Sequence, residues 1–404
     1  MGIFSDFVND IKKTYSKKNA DIVLDYTKQK EPISSGSLVI DHTFDGGLAY
    51  KGRLVEFLSF ESGGKSTIAI QSCVSALKQY PDQGIIYLDT EQAIDYAYAK
   101  SLGMDAEDER VMIYQPRTLE EVEGILSKAF DLQKGGKPPK LNKMVSTVVI
   151  DSVAATRPAV MFEQSADGKG QKSQHASAWG LFSPKLNKWA AEQNFAVILL
   201  NQLRAKPQMS TMDKFSLAGN VGIANGHSNV DTALTSTGGN ALRYYLSARY
   251  LFKWSSTLKE QISDEETGEV TEARVANIFT ITSIKNKINP PYKVGKMVIR
   301  FGEGIDDFPL IVEALKARGL ITNRGSFLIY KTTTGEEVKL LGKAKFYATL
   351  RADYFEDIKK AYVNQKDDDD SSESLDLTAG NEDIDIDDDI DGDDDIEVSS
   401  INTI

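Results

Sequence analysis

Short apolar runs alternate along the first half of the chain with stretches where apolar residues return every three or four positions. Leu54-Val55-Glu56-Phe57-Leu58, Ile85-Ile86-Tyr87-Leu88, Val111-Met112-Ile113-Tyr114 and the segments 145–150 and 196–200 have strand length and polar borders. Such runs suit strands buried on both faces. Helical spacing follows at Ile68, Ala69, Ile70 and Val74, and again over 94–102 and 119–132. Ser183-Pro184 reads as the N-cap and first position of another helix, running to about residue 192. Strand and helix in alternation predict an α/β fold with a largely parallel central sheet flanked by helices. Ligands of such sheets gather at the carboxyl ends of the strands. There the chain places Asp89, Asp151 and Asn201-Gln202.

The pattern changes on either side of this core. Residues 4–19 carry Phe4, Phe7, Val8, Ile11 and Tyr15 at helical spacing, which predicts a short amphipathic helix for packing on its own core or on a neighbouring subunit. Residues 204–239 are rich in Ser, Thr, Asn and Gly without apolar periodicity; a loop of that length is normally functional or disordered. Segments 241–254, 274–285 and 296–301 read as antiparallel strands, with a hairpin turn at 263–269, and 310–317 as a helix. Residues 319–364 hold short mixed elements. The expected organisation is therefore an N-terminal helix and connector (1–32), an α/β core (33–305), a small C-terminal α+β domain (306–366) and an acidic tail (367–404).

Charge sharpens that division. The chain has 404 residues and a formal net charge of −12. Seventeen of its 59 acidic residues lie in 367–404, which contains no Lys or Arg, so residues 1–366 carry a net charge of +5. A mildly basic body suits polyanion binding; the tail is a competing polyanion, or an ordinary solvating extension. No signal peptide and no apolar run of membrane-spanning length is visible, so a soluble cytoplasmic protein without membrane contact is expected. The single Cys73 falls on the apolar face of the first long helix and reads as core. His42, His175 and His227 lack metal-ligand spacing, although His175 lies where it could touch a ligand of the neighbouring loop.

The stretch RLVEFLSFESGGKSTIAIQ (53–71) concentrates the chemistry. A buried strand, a Gly-rich turn and a helix opening on Lys-Ser form the setting of a phosphate-binding loop. Glu61, Ser62, Gly63, Gly64, Lys65, Ser66 and Thr67 would wrap the phosphates, since turn N–H groups and a helix N-terminus favour an anion. Lys65 would reach the β- and γ-phosphates, and the Ser66 hydroxyl is a hard ligand for Mg²⁺. Ser59 stands where the usual pattern begins with Gly. The bland alternative is a Gly-Gly-Lys turn without ligand. Asp151, closing an apolar run, suits an acid that holds Mg²⁺ directly or through water. Glu91 could activate the attacking water or simply favour a helix start. Gln202 could sense the γ-phosphate or be an ordinary strand-end amide. Asp95 and Tyr98 fall in the helix after Glu91, where Tyr could stack on a base.

These residues in this order resemble the RecA recombinase family over roughly residues 33–305. ISSGSLVID, GGL and GRLVEF are similar to its lead-in, LDTEQAIDYAYAKSLGMD to its catalytic-acid segment, VVIDSVAA to its metal-binding strand and LLNQLR to its γ-phosphate sensor. STGGNALRYYLSAR, IKNKINPPY and FGEGID are similarly placed, and STGGNALRYY and IKNKI separate this family from other P-loop ATPases. The resemblance implies ATP and Mg²⁺ as cofactors, Glu91 as the residue that activates water, Asp95 and Tyr98 at the adenine, and Gln202 as the coupling residue. It implies that Lys285 and Lys287 reach a neighbouring subunit's ATP; two solvated lysines on one strand face are the plain alternative. It also implies two DNA-binding loops, one at 157–182 with Lys169 and Lys172, the other at 204–239, with Arg204, Gly239, Asn240 and Arg243 meeting phosphates.

The function so implied is an ATP-dependent recombinase that forms a homo-oligomeric helical filament on single-stranded DNA, pairs it with double-stranded DNA and exchanges strands. It leaves room for recombination mediator or single-strand-binding proteins as partners. Two other readings stand beside it: a RecA-like motor or regulatory ATPase, and a DNA-binding filament scaffold with weak hydrolysis.

Overall fold

The computed structural model describes residues 31–163, 171–205, 223–224, 227–228, 234–263 and 270–364. The expected helix at 4–19, Lys169, most of the second loop, the turn at 264–269 and the acidic tail lie outside the described residues. The described residues fall into two compact units. One holds the chain to Thr257 with Ala276–Leu310, the other Leu258–Val275 with the chain from Ile311 onward.

In chain order the first part contains β1 (Pro32–Ile33), α1 (Leu38–Thr43), β2 (Ala49–Tyr50), β3 (Leu54–Ser59), α2 (Lys65–Gln79), β4 (Gly84–Asp89), α3 (Tyr96–Ser101), β5 (Val111–Tyr114), α4 (Leu119–Phe130), β6 (Val145–Asp151), α5 (Val160–Glu163), α6 (Gln171–Gln193) and β7 (Ala196–Ala205). The pieces β8 (Ile223–Ala224), β9 (His227–Ser228) and β10 (Leu234–Ser236) precede α7 (Gly239–Tyr245), β11 (Ala248–Ser263), β12 (Val270–Asn286), β13 (Val294–Arg300) and β14 (Gly304–Ile305). The main sheet has ten strands in the order β14-β13-β12-β11-β3-β7-β6-β4-β5, with β10 paired to β7 outside that path. From β11 to β5 every neighbouring pair is parallel, while β13 runs antiparallel to β12 and β14. The fold is the expected α/β class.

Period-two alternation on buried strands sends neighbouring residues to opposite faces. Val55, Phe57, Ile85, Tyr87, Ile198 and Leu200 join one core with Ile68, Cys73, Val74 and Leu77 of α2. Leu54, Ile86, Leu88, Val197 and Leu199 join the other with Val122 and Leu126 of α4 and Trp179, Phe182, Leu186 and Trp189 of α6. Cys73 is fully buried, and that burial pushes its thiol up to about 12. The parallel registers set Ser59 beside Gln202 and Asp89 beside Asp151, so the strand ends carrying polar residues meet at one edge.

Five expectations need correction. Ser183-Pro184 does not start a helix; both lie inside the continuous α6. The Ser183 hydroxyl donates to the Trp179 carbonyl at 2.5 Å, and buried Trp179, Phe182, Leu186 and Trp189 carry the helix through the proline. The same helix occupies 171–182, so the expected first loop is shorter. His175 is buried within it, its Nε2 3.1 Å from the Val153 and Thr156 carbonyls, and is not available to a ligand. Residues 196–200 do not end their strand, which continues through Asn201-Gln202 to Ala205 because β10 pairs with its last residues. Finally, residues 241–245 are helical, with Leu242 buried, and the strand begins only at Ala248.

The second unit contains the rest of α8 (Phe308–Ala317) and a three-stranded antiparallel sheet of β15 (Ile321–Arg324), β16 (Phe327–Lys331) and β17 (Glu337–Leu341). It closes with α9 (Lys343–Asp353) and α10 (Phe355–Asn364). Its core includes Leu328, Tyr330, Phe346, Leu350 and Ile358, and the Tyr330 hydroxyl donates to Asp357 at 2.7 Å.

Candidate functional site

The phosphate-loop candidate spans the step from β3 to α2. Ser62 and Gly64 both take left-handed backbone, with φ of 57° and 75°. Gly63 does not need φ > 0; it is required by space, because a Cβ there would overlap Ser59 Oγ and Cβ. The Lys65 ammonium donates to Ser59 Oγ at 2.5 Å and to the Phe60 carbonyl at 3.0 Å. Burial pushes Lys65 below the usual lysine range, against the pull of the Asp151, Glu91 and Glu61 carboxylates. The N-terminus of the 15-residue α2 opens on this spot, where its first N–H groups favour an anion.

Asp151 lies across from the loop. Its Oδ2 accepts from Ser66 Oγ at 2.9 Å and from the Tyr87 hydroxyl at 2.7 Å. Burial raises its pKa; those two hydrogen bonds oppose the shift, while the charges of Glu91 and Asp89 add to it. Ser66 Oγ and Asp151 Oδ2 thus adjoin as two hard oxygens, within the field of the Glu91 and Asp89 charges. That donor set and excess negative charge suit Mg²⁺. Among the described residues no cluster of three or more His, Cys, Asp or Glu forms a metal site by itself, as expected where a cation arrives with phosphate ligands.

Glu91 sits in the turn after β4, with Thr90 N and Glu91 N both donating to the Asp151 carbonyl, at 2.7 and 3.2 Å. Its Oε1 accepts from the Ser152 hydroxyl, and from Gln202 Nε2 at 3.4 Å. The Asp151-Ser152 peptide is cis. The structure therefore brings Lys65, Ser66, Asp151, Glu91 and Gln202 together from four neighbouring strands, β3, β7, β6 and β4. Asp89 turns away: it accepts from Ala93 N, Ile94 N and Gln115 Nε2 and shapes the turn.

Asn201, beside Gln202, anchors a buried network. Its Nδ2 donates to Glu56 Oε1 at 2.7 Å and to the Thr237 carbonyl at 3.0 Å, and its Oδ1 accepts from Gln202 N at 2.9 Å and from the Thr237 hydroxyl. Glu56, fully buried, also pairs with Arg249 at 2.7 Å, and Arg249 donates to Ser236 Oγ at 3.2 Å. The phosphate-loop strand, the strand of Gln202 and the end of the second loop are thus joined through side chains.

A cavity of about 390 Å³ opens beside the loop, lined by residues 62–67 and by Tyr98, Asn277, Phe279, Ile299, Arg300, Phe301 and Gly302. Tyr98 lies 3.2 Å from Thr67 Oγ1 through its hydroxyl. Asp95 caps α3 by accepting from Ala97 N and Tyr98 N at 2.9 and 3.0 Å, so it acts first on the helix that carries Tyr98. Asn201 and Ser152 fall at the expected strand ends but had no role assigned, while Tyr87 and the Asn277–Gly302 wall escaped the sequence reading. Phe301-Gly302 alone had a signal, the FGEGID stretch.

The remaining candidates lie elsewhere. Lys285 donates to the Arg243 carbonyl and Lys287 to the Tyr244 carbonyl at 2.9 Å, so both meet the C-terminal end of α7. Cations are favoured at such an end. Gly239 opens that helix, Asn240 is exposed and Arg243 half-buried. Arg204 is the penultimate residue of β7 and Lys172 the second of α6; their side chains lie outside the described residues.

This sheet, loop and acid cluster define a P-loop nucleotide-binding core. The family model described as the RecA N-terminal domain matches residues 3–306, and the chain belongs to that family. It is 30% identical over 356 residues to Protein RecA of Trichodesmium erythraeum, covering 87% of this chain and 84% of that protein. It is 32% identical over 301 residues to Protein RecA of Borrelia hermsii, covering 74% and 72%. Protein RecA of Nostoc punctiforme is 30% identical over 356 residues, covering 87% and 86%. No helix among the described residues is long and apolar enough to cross a membrane.

Proposed function

We propose that this chain is a DNA-dependent ATPase that assembles as a filament on single-stranded DNA and promotes homologous pairing and strand exchange. The observation that carries the reading is the convergence of Lys65, Ser66, Asp151, Glu91 and Gln202 at one sheet edge, with Gln202 tied through Asn201 to the end of the second loop. Residues 61–67 would hold the triphosphate, with Tyr98 at the base and Asp95 fixing its helix. Ser66 and Asp151 would hold Mg²⁺, which when bound neutralises charge on the β- and γ-phosphates. Glu91 would accept the proton of a water as its oxygen bonds to the γ-phosphorus. The bond from that phosphorus to the bridging oxygen then breaks, and ADP and phosphate leave. Gln202 would report the γ-phosphate to the loop.

On this reading Lys285 and Lys287 complete a neighbouring subunit's site after releasing the α7 carbonyls, and the 4–19 segment packs on the next subunit. Lys169, Lys172, Arg204, Gly239, Asn240 and Arg243 meet DNA backbone, where cations and close N–H groups give sequence-independent affinity. The tail at 367–404 would screen the DNA site and weaken duplex binding. Mediator and single-strand-binding proteins would act on the same filament. Ser59 holds Lys65 at 2.5 Å, so ATP has to draw the ammonium from that partner as it binds. The test is ATP hydrolysis with and without single-stranded DNA. Strong stimulation is expected; unstimulated hydrolysis would favour a motor or regulatory ATPase, and ATP-dependent DNA binding without turnover a scaffold.

A further inference from the structure

The phosphate loop holds two unusual neighbours. Ser59 ends β3 with only 1% of its surface exposed, and its register partner on β7 is Gln202. Its hydroxyl accepts from Lys65 and donates to the Phe60 carbonyl, while Lys65 also donates to that carbonyl at 3.0 Å. Two of the three ammonium hydrogens are therefore engaged inside the loop. The space Ser59 fills is the space a side chain at 63 would need, since a Cβ on Gly63 would overlap Ser59 Oγ and Cβ and lie 3.2 Å from the Phe60 carbonyl. Contacts that close force a shift of the strand end or of the loop, and both are backbone-anchored.

We infer that Ser59 and Gly63 are a matched pair that positions Lys65: the Ser59 hydroxyl tethers the ammonium within the loop, and Gly63 is the residue that leaves it room. A triphosphate must then take Lys65 from an internal partner, so Ser59 sets ATP affinity without touching the reacting atoms. A side chain at 63 requires the loss of the one at 59. This inference rests on the reading of residues 59–67 as a triphosphate site.

The test is a mutant cycle on the full chain, titrated with ATP·Mg²⁺ by calorimetry and followed by steady-state hydrolysis. Ser59→Ala is expected to bind ATP about threefold to tenfold more tightly, the worth of one internal hydrogen bond, with the gain in KM rather than kcat. Gly63→Ala alone is expected to weaken binding at least tenfold, whereas in a Ser59→Gly background, which binds ATP as Ser59→Ala does, the same change should alter affinity less than about threefold, a coupling that contacting residues show. Thermal melts check that each variant folds; if Gly63→Ala does not, Ser59→Ala decides. Wild-type affinity in Ser59→Ala, or additive effects in the cycle, would overturn the matched pair while leaving the nucleotide site intact. A wild-type chain that binds no ATP would overturn the site itself and the pair with it.

Discussion

Glu91 is held in place by two neighbours rather than by a strand of its own. Ser152 and Gln202 both donate to its Oε1, and its backbone N–H is fixed to the Asp151 carbonyl at 3.2 Å. A carboxylate so oriented and still exposed is placed to take a proton from water without being needed for binding. On the proposed reading Glu91→Gln keeps the shape and removes the base, so single-turnover ATP hydrolysis should fall about 10²- to 10⁴-fold with ATP affinity nearly unchanged. An equal loss in affinity would mean that Glu91 shapes the pocket instead. Asp151 makes a different prediction. Burial raises its pKa above 3.8 in the folded chain, so its charge costs stability at neutral pH. That cost fades as pH falls through the raised pKa and is gone below the unfolded value. Asp151→Asn, which cannot ionise, should therefore raise the Tm of the nucleotide-free chain at pH 7.5, and the gain should shrink steadily as the melts are repeated toward pH 4. At the same time it should weaken the Mg²⁺ dependence of ATP binding. A gain that does not change with pH would show that the charge of Asp151 is not its source.

Between elements, the heaviest single commitment is the Glu56–Arg249 pair, at 2.7 Å with side-chain exposures of 0% and 3%. Removing one member leaves an uncompensated buried charge, so Arg249→Met should cost about 3–5 kcal/mol in denaturant unfolding. The double variant with Glu56→Leu should recover much of it. Thr237→Val tests the same network more gently. It deletes the hydroxyl that Asn201 Oδ1 accepts from. On the proposed reading, ATP should then strengthen single-stranded DNA binding about tenfold less than in wild type, a coupling of ordinary size. Nucleotide-free DNA binding should stay the same. None of these partners was visible in the sequence. Lys65, Asp151, Glu91 and Gln202 were legible because each closes or follows an apolar run, and the run predicts where its end must lie. Tyr87, Ser152, Thr237 and Arg249 join the site only through register between strands far apart in the chain, which no local pattern encodes. Local signals also misled. Ser-Pro marks helix starts, yet α6 runs through Pro184 because four large buried side chains outweigh one missing hydrogen bond. The α7 segment, ALRYYL, reads as a strand by residue type, and becomes helical where Leu242 and Leu246 bury together on one face.

For the whole molecule the governing quantity is the division of charge. The net −12 of the chain would argue against any polyanion partner, but residues 1–366 carry +5 and the seventeen acids of 367–404 stand apart from them in sequence. A tethered polyanion competes with DNA phosphates for the same cations at a concentration set by its tether rather than by the solution. Duplex DNA should feel this most, since its affinity rests largely on neutralised phosphates and released counterions. Ending the chain at Lys366 should therefore tighten duplex binding about tenfold at 50 mM salt. The difference should shrink toward none near 0.5 M salt, where the Debye length falls to a few ångströms. ATP hydrolysis without DNA should be unaffected, because the proposed nucleotide pocket is lined by residues 62–67, 98, 277, 279 and 299–302. Equal duplex affinity of the two chains at low salt would show that the tail does not compete for the DNA site. A difference that persists unchanged at high salt would replace electrostatic competition with a specific docking of the tail on the body, and the two outcomes are separated by one salt titration.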